Sequence, residues 1–303
     1  MRHLKKILVF VMIVATLSLF SCEKEVKEFE YQKVDGGIEI TKYNGTASEI
    51  NIPEEIDGKT VVSIGESAFE TLKVTKITVP KTVTTIKNYA FRQNIYLEKV
   101  EILGNIKTIP QGLFSFCVNL TEFDIPSGVE IIGGNAFGGT GLREVVLPDS
   151  VKEVESYAFY SCVHLKSFKS GSGLQKIGES AFGDCISLTD ITLNEGVTSI
   201  GAGCFSSCSA LKDIVIPTTV DTLESYVFAA TALEEYHVPS SIKTIRSYAF
   251  EGCKSLGDVY IPDSVTKIER DVFNEMKDFV IHGKSDSEAE IYADKFGLEF
   301  EKE

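Results

Sequence analysis

Positive charge, histidine and long apolar runs are all scarce in this chain, and each scarcity closes off a class of function. Only 30 Lys and Arg stand against 44 Asp and Glu, a formal net charge of −14. Nucleic-acid binding needs Lys and Arg clustered on one face, so no nucleic acid partner is expected, and the same charge repels anionic lipid. Histidine occurs at His3, His164, His237 and His282 alone. Zinc needs convergent Cys and His ligands. These histidines are scattered and Cys204-x-x-x-Cys208 is one local pair without a second, so no metal centre is expected. There is no G-x-S-x-G elbow, no phosphate-binding glycine loop and no H-E-x-x-H. Acidic pairs occur throughout, so none stands out as a glycosidase pair. No catalytic residue can be nominated, and the expectation is a protein that is not an enzyme.

The longest apolar run, Ile7 to Phe20, has 14 residues and is broken only by Thr16 and Ser18. Crossing a bilayer takes roughly 20. With Arg2, Lys5 and Lys6 before it, the run reads as a secretion signal over residues 1–21, the alternative being an anchor helix left in place. Leu19-Phe20-Ser21-Cys22 resembles the bacterial lipobox, although Phe20 is bulkier than the usual residue there. The resemblance implies lipidation of Cys22; the alternative is ordinary cleavage after Ser21. Each buried methylene of such an anchor contributes about 0.8 kcal/mol. Residues 22–28 then form a charged tether, and the tract Glu23-Lys24-Glu25-Val26-Lys27-Glu28 resembles the surface-export signal of Bacteroidetes lipoproteins. A tether facing the periplasm is the other reading. Loss of the three basic signal residues deepens the net charge to about −17.

What the chain has in abundance is self-similarity, the mark of a stacked repeat architecture. Phe69, Phe91, Phe114, Phe137, Phe159, Phe182, Phe205, Phe228, Phe250 and Phe273 follow one another at 22 or 23 residues. Five residues before each stands a branched aliphatic, as Ile64, Val154 and Leu223. Pro recurs eleven before it, as Pro80, Pro148 and Pro262, and Cys three after it, at Cys117, Cys162, Cys185, Cys208 and Cys253. The short repeats of Phe69, Phe137 and Phe228 place Leu72, Thr140 and Thr231 in the Cys slot. Such a unit has too few apolar residues for a core of its own, and stacking supplies the missing partners. Leu120-Thr121-Glu122-Phe123-Asp124-Ile125-Pro126 alternates as a short strand does, with Phe123 and Ile125 on one side. Pro ends it by removing the next donor. Parallel neighbours at about 4.8 Å make ten repeats roughly 50 Å long. The arm around each Phe, as in Ser156-Tyr157-Ala158-Phe159-Tyr160, is expected to be a short helical turn on the convex side.

The unit V-x-x-I-G-x-x-A-F-x-x-C-x-x-L, as at Gly178-Glu179-Ser180-Ala181-Phe182-Gly183-Asp184-Cys185, resembles the BspA-like leucine-rich repeat class. The resemblance covers about Glu30 to the C-terminus. It implies a repeat solenoid, a right-handed leucine-rich-repeat superhelix with one parallel β-sheet of about ten short strands. It also implies a bacterial surface or secreted protein associated with attachment to host or neighbouring cells. Both ends read as caps. Phe29 to Tyr43 alternates around Asp35-Gly36-Gly37, a hairpin signal, and Asp57-Gly58 marks a further turn. Ala289, Ile291, Tyr292 and Phe296 follow helical spacing, Gly297 ends that helix, and Leu298-Glu299-Phe300 adds a strand. The expected organisation is therefore an N-terminal cap at 29–60, ten repeats at 61–279 and a C-terminal cap at 280–303.

Six cysteines lie in the repeats, and five share one slot, so their side chains run parallel instead of pointing at each other. That geometry suits a disulfide poorly, and buried thiols acting as small hydrophobes are expected. Outward strand positions form two columns. The first reads Lys76, Lys99, Glu122, Glu144, Ser167, Asp190, Asp213, Glu235 and Asp258. The second reads Thr78, Glu101, Asp124, Val146, Lys169, Thr192, Val215, His237 and Tyr260. Like charges on adjacent strands are unfavourable. The columns are either a solvated face that discourages aggregation or a strip for a basic partner or weakly held Ca²⁺, which favours carboxylate oxygens. Val146, Val215, His237 and Tyr260 add apolar and aromatic area beside it.

The expected function is that of a non-enzymatic cell-surface lipoprotein of the outer membrane. It would hold a protein or glycan ligand, host extracellular matrix among them, and touch the membrane only through its N-terminal lipid. A periplasmic or envelope scaffold and a glycan-capturing surface lipoprotein are the competing expectations.

Overall fold

A computed structural model describes residues 27–303; the expected signal, Cys22 and most of the tether lie outside the described residues. Each coil makes one circuit through three ladders that run along the solenoid axis. The first is built from the alternating strands, such as Glu144–Val146, Ser167–Lys169 and Asp190–Thr192, paired parallel and in register. The second uses two-residue strands five and six positions before Phe. Thr108–Ile109, Ile131–Ile132, Glu153–Val154, Lys176–Ile177 and Ser199–Ile200 form one such run. The third is the arm that carries the Phe itself.

Inside these ladders the ten register Phe side chains are buried, and successive ring centroids lie 5.2–6.1 Å apart. Offset aromatic contacts in this range add to the burial of a large apolar side chain. The N–H of each Phe but the last donates to the carbonyl just before the next Phe, as Phe159 to Ala181 O at 2.8 Å. Side-chain stack and main-chain ladder therefore share one period.

The arm differs from the helical turn expected of it. Two residues before and two residues after every register Phe, the backbone is left-handed, as at Thr71 (φ 61°), Tyr157 (φ 62°), Ser161 (φ 54°) and Ala230 (φ 56°). A left-handed residue cannot continue a right-handed helix, and outside glycine it costs about 1–2 kcal/mol. What it achieves is an alternation of donors. The N–H groups of Tyr157, Phe159 and Ser161 point to the next coil, at Glu179, Ala181 and Gly183. Those of Ala158, Tyr160 and Cys162 close turns onto Glu155, Tyr157 and Phe159. Among the described residues the one α-helix is Glu288–Phe296 in the C-terminal cap.

The strand face also differs from a single sheet of ten. It comprises three parallel sheets: Glu49–Asn51 with Lys76–Val79 and Lys99–Ile102; Glu144–Val146 with Ser167–Lys169 and Asp190–Thr192; and a last one of four strands. That last sheet joins Glu235–His237, Asp258–Tyr260, Val280–Gly283 and Glu299–Lys302. Residues 122–125 and 213–216 form no backbone hydrogen bond with either neighbour. Like charges adjoin both lapses. Glu122 adjoins Glu144, and Asp213 lies between Asp190 and Glu235. Where pairing holds, Ser167 separates Glu144 from Asp190, or a cation or imidazole meets each carboxylate. Like charges directly opposite oppose strand pairing.

Both caps form as the turn residues dictate. Phe29–Val34 and Gly37–Tyr43 make an antiparallel hairpin around Asp35 and Gly36, whose φ is 81°. Tyr43 stacks on Phe69 at 5.6 Å and Phe29 packs at a tilt against Tyr43 at 5.1 Å, closing the aromatic column. At the far end, Tyr292 of the helix packs on Phe273 at 6.0 Å and its hydroxyl accepts from Val272 N–H. Ser287 caps the helix start, and Gly297, at φ 68°, ends it.

The six repeat cysteines are free thiols in the core. Their role is more specific than that of a small hydrophobe. Cys117, Cys162, Cys185, Cys208 and Cys253 each donate to the Phe carbonyl of the preceding repeat at 3.0–3.2 Å. Where the slot lacks Cys, Asn94 donates to Phe69 O and Phe91 O, and Thr140 and Thr231 donate to Phe137 O and Phe228 O. The slot satisfies carbonyls of buried Phe residues. Burial pushes the Cys117 and Cys208 thiols up to about 12. Thiol titration of the chain from residue 23 should therefore give six reactive groups in denaturant and almost none in the native state; fewer than six in denaturant would reveal a disulfide.

Among the described residues Glu39 is the one buried carboxylate with an ion-pair partner, Lys87 at 2.8 Å, and it joins the N-terminal hairpin to the repeats. Burial opposes its ionisation, but hydrogen bonds from Lys87, Gln32 and Ser63 outweigh it and hold the carboxyl below its ordinary 4.5. A lowered folded-state pKa means stability present above 4.5 and lost as the pH falls below it. Glu39→Gln should cost about 1–3 kcal/mol at pH 7 and flatten that acid limb, as denaturant titration at pH 7 and pH 3.5 would register.

Candidate binding face

The alternation of each strand turns one residue in and the next out, and parallel register sets equivalent outward residues side by side along the axis. Glu144, Ser167 and Asp190 are direct register partners, as are Val146, Lys169 and Thr192. Glu235 and Asp258 pair likewise, with His237 beside Tyr260. Glu122, Asp124, Asp213 and Val215 lie instead on the two stretches where pairing lapses. The columns are thus three paired segments joined by two unpaired coils.

The segments differ in electrostatics. At the N-terminal end Lys76 and Lys99 both bond Glu101, at 3.3 and 2.9 Å. Hydrogen bonds and charge from Lys99 and Lys76 hold the Glu101 carboxyl below the usual range. The middle is uncompensated. Among the described residues Glu122, Asp124, Glu144, Asp190 and Asp213 have no cationic partner within ion-pair distance. Glu122, Asp124, Glu144 and Val146 converge with Phe123, Arg143 and Pro148 on an open cleft of about 650 Å³ between two coils. Val146 and Val215 stand proud of the face, 55% and 74% exposed.

At the C-terminal end three rings stack face to face. His237 lies 4.1 Å from Tyr260, and Tyr260 lies 4.3 Å from His282, with ring planes within 12°. Carboxylates pin both imidazoles, Glu235 to His237 at 2.8 Å and Asp258 to His282 at 2.7 Å. Partial desolvation in the stack, then the charges of Glu235 and Asp258, push the Tyr260 hydroxyl above its ordinary range. No group of three or more His, Cys, Asp or Glu among the described residues is arranged to hold a metal ion. No helix among them is long and apolar enough to cross a membrane.

A sequence profile described as the BspA type Leucine rich repeat region matches six copies, over residues 42–166 and 152–279. The chain belongs to the BspA-type leucine-rich repeat family. Among solved structures, a leucine-rich repeat protein from Bacteroides ovatus is similar at 25% identity and a TM-score of 0.78, over 85% of this chain and 70% of that one. A leucine rich cell surface protein from Faecalibacterium prausnitzii shares 24% identity over 88% and 95% of the two chains, with a TM-score of 0.44. No curated protein matches the chain significantly in sequence. Membership of this BspA-type family is consistent with a binding or scaffold role.

Sequence reasoning missed His282 and Glu301 as members of the face. In this BspA-type solenoid the strands Val280–Gly283 and Glu299–Lys302 continue the sheet beyond the last repeat, so Tyr260, His282 and Glu301 are consecutive register partners. The signal was the period itself. A further 22-residue step from Tyr260 reaches His282, inside a segment assigned to the cap.

Proposed function

We propose that this chain is an exported, lipid-anchored surface protein whose strand face holds a macromolecular partner bearing positive charge. The observation that supports this is the middle of the columns, where five carboxylates at Glu122, Asp124, Glu144, Asp190 and Asp213 lie without cations. Leaving them so weakens the pairing of the protein's own strands, and a basic partner would supply the missing counter-charge. The stacked rings of His237, Tyr260 and His282 and the exposed Val146 and Val215 give that partner apolar and aromatic anchors beside the charge. Interfaces of this composition are enriched in such residues at their centres.

Cys22 is the proposed lipid attachment, and the acidic tether after it the proposed address for the cell surface of the outer membrane. Ligands of this class include protein and glycan components of a host matrix. Ca²⁺ held weakly between neighbouring carboxylates is the alternative counter-charge, and a scaffold role inside the envelope is the alternative for the whole protein.

The Asp190→Asn, Asp213→Asn, Glu235→Gln triple variant should weaken capture of basic matrix proteins on the order of tenfold or more. It should also flatten the salt dependence of binding, measured with and without calcium. Affinity and salt slope equal to wild type would remove the columns from the account. Protease treatment of intact cells should release the solenoid, whereas protection until the outer membrane is opened would favour the scaffold.

A further inference from the structure

Fourteen large apolar side chains are exposed on the described residues, and six of them gather in one band on the arm side of five consecutive coils. Four positions after the register Phe, the coils of Phe91 to Phe182 carry Ile95, Val118, Gly141, Val163 and Ile186. That column reads the same in both directions. Phe116, two positions after its register Phe, and Tyr160, one position after its own, add a ring on either side of the midpoint. Ile95, Val118 and Ile186 are each between 45% and 49% exposed, far more than a satisfied core edge. The central coil is one residue short and reads Gly138-Gly139-Thr140-Gly141, a notch in the row.

The rings lie flat on their neighbours. A Cβ added at Gly139 would meet the Phe116 ring at 2.9 Å, and one at Gly183 would meet the Tyr160 ring at 3.1 Å. Charge avoids the band. Across residues 92–96, 115–119, 138–141, 160–164 and 183–187, Arg92 and Asp184 are the only acidic or basic residues besides His164, in a chain whose net charge is −14.

We propose that this band is the contact between two copies of the chain, related by a two-fold axis through the notch at Gly138–Gly141. A two-fold interface sets residue i against j and j against i. Ile95 of one copy then meets Ile186 of the other, and Val118 meets Val163. At the notch Gly138, Thr140 and Gly141 are buried, so no side chain of the central coil stands between the two copies on the axis. A different partner would have no use for a column that mirrors itself. Two polyanions also repel wherever their charged faces meet, and this stretch is where two copies can touch without that cost. Apolar exposure of this extent marks an association surface.

The chain from residue 27 to 303, which contains the whole described core and both caps, is the material for the test. Sedimentation equilibrium at about 100 µM, where even a modest contact is populated, should give twice the monomer mass. Val118→Asp and Val163→Asp each act twice across the axis and should weaken the dimer on the order of a hundredfold. Unchanged circular dichroism shows that a variant is folded; should either fail to fold, Ile186→Ser at the rim serves instead and should still weaken the dimer. Register is read separately. Mixed Val118→Cys and Val163→Cys chains should form interchain disulfides under mild oxidation, and either chain alone should not. A wild-type monomer at that concentration overturns the proposal, whether or not it adsorbs to neutral vesicles. So does a dimer indifferent to Val118→Asp, or equal cross-linking in the unmixed samples.

Discussion

The structure depends on an axial column of phenylalanine rings held at the same step as the main chain that carries them. Each Phe gives its ring to the stack and, in all but the last, its N–H to the next coil, so neither can shift without breaking the other. Burial of apolar surface at about 25 cal/mol per Å² is cooperative in this geometry, because every ring covers two neighbours and is covered by two. Ends are the weak points of such a stack. Tyr43 and Phe29 on one side and Phe279 and Tyr292 on the other are the aromatic lids that answer them.

Outside the column, the face and the fold compete for the same residues. An outward carboxylate that could attract a basic partner also repels its counterpart on the adjacent strand. Pairing survives where Ser167 separates Glu144 from Asp190 and where an imidazole or a lysine meets the carboxylate, and it lapses at Glu122 and Asp213, which adjoin uncompensated carboxylates. The two end segments answer their charges within the chain, whereas Glu144 and Asp190 of the middle segment and the unpaired coils at 122–125 and 213–216 turn theirs outward. Recognition and sheet integrity therefore draw on the same carboxylates.

Much of this was legible because the period of the sequence is also the period of the solid. Phe, Ile, Pro and Cys sharing one register reveal the stack, its inner residues and its coil count directly. Both caps were readable from turn chemistry at Asp35-Gly36, Asp57-Gly58 and Gly297. Less legible was whatever depends on backbone sign. Tyr157, Ser161 and Thr71 carry no mark of left-handed geometry, since that preference belongs chiefly to glycine. The arm therefore read as a helical turn. Interruption of the sheet at Glu122 and Asp213 was hidden for another reason. Alternation predicts which way a side chain points, whereas pairing depends on what the neighbouring coil places opposite it. His282 fell outside the columns because the cap was separated from the repeats, although the sheet runs through both. The carbonyl partner of each Cys involves the preceding coil, which composition alone does not show.

The pair of left-handed residues in each arm has a consequence for how such a chain can vary. They stand a fixed four residues apart, with the Phe midway, and every coil preserves that interval. The difference between 22-residue and 23-residue coils falls after the second of them, before the next buried aliphatic. The arm thus works as a phase mark. Material can be added or lost at the bend that follows it, and the next coil still enters the stack in step.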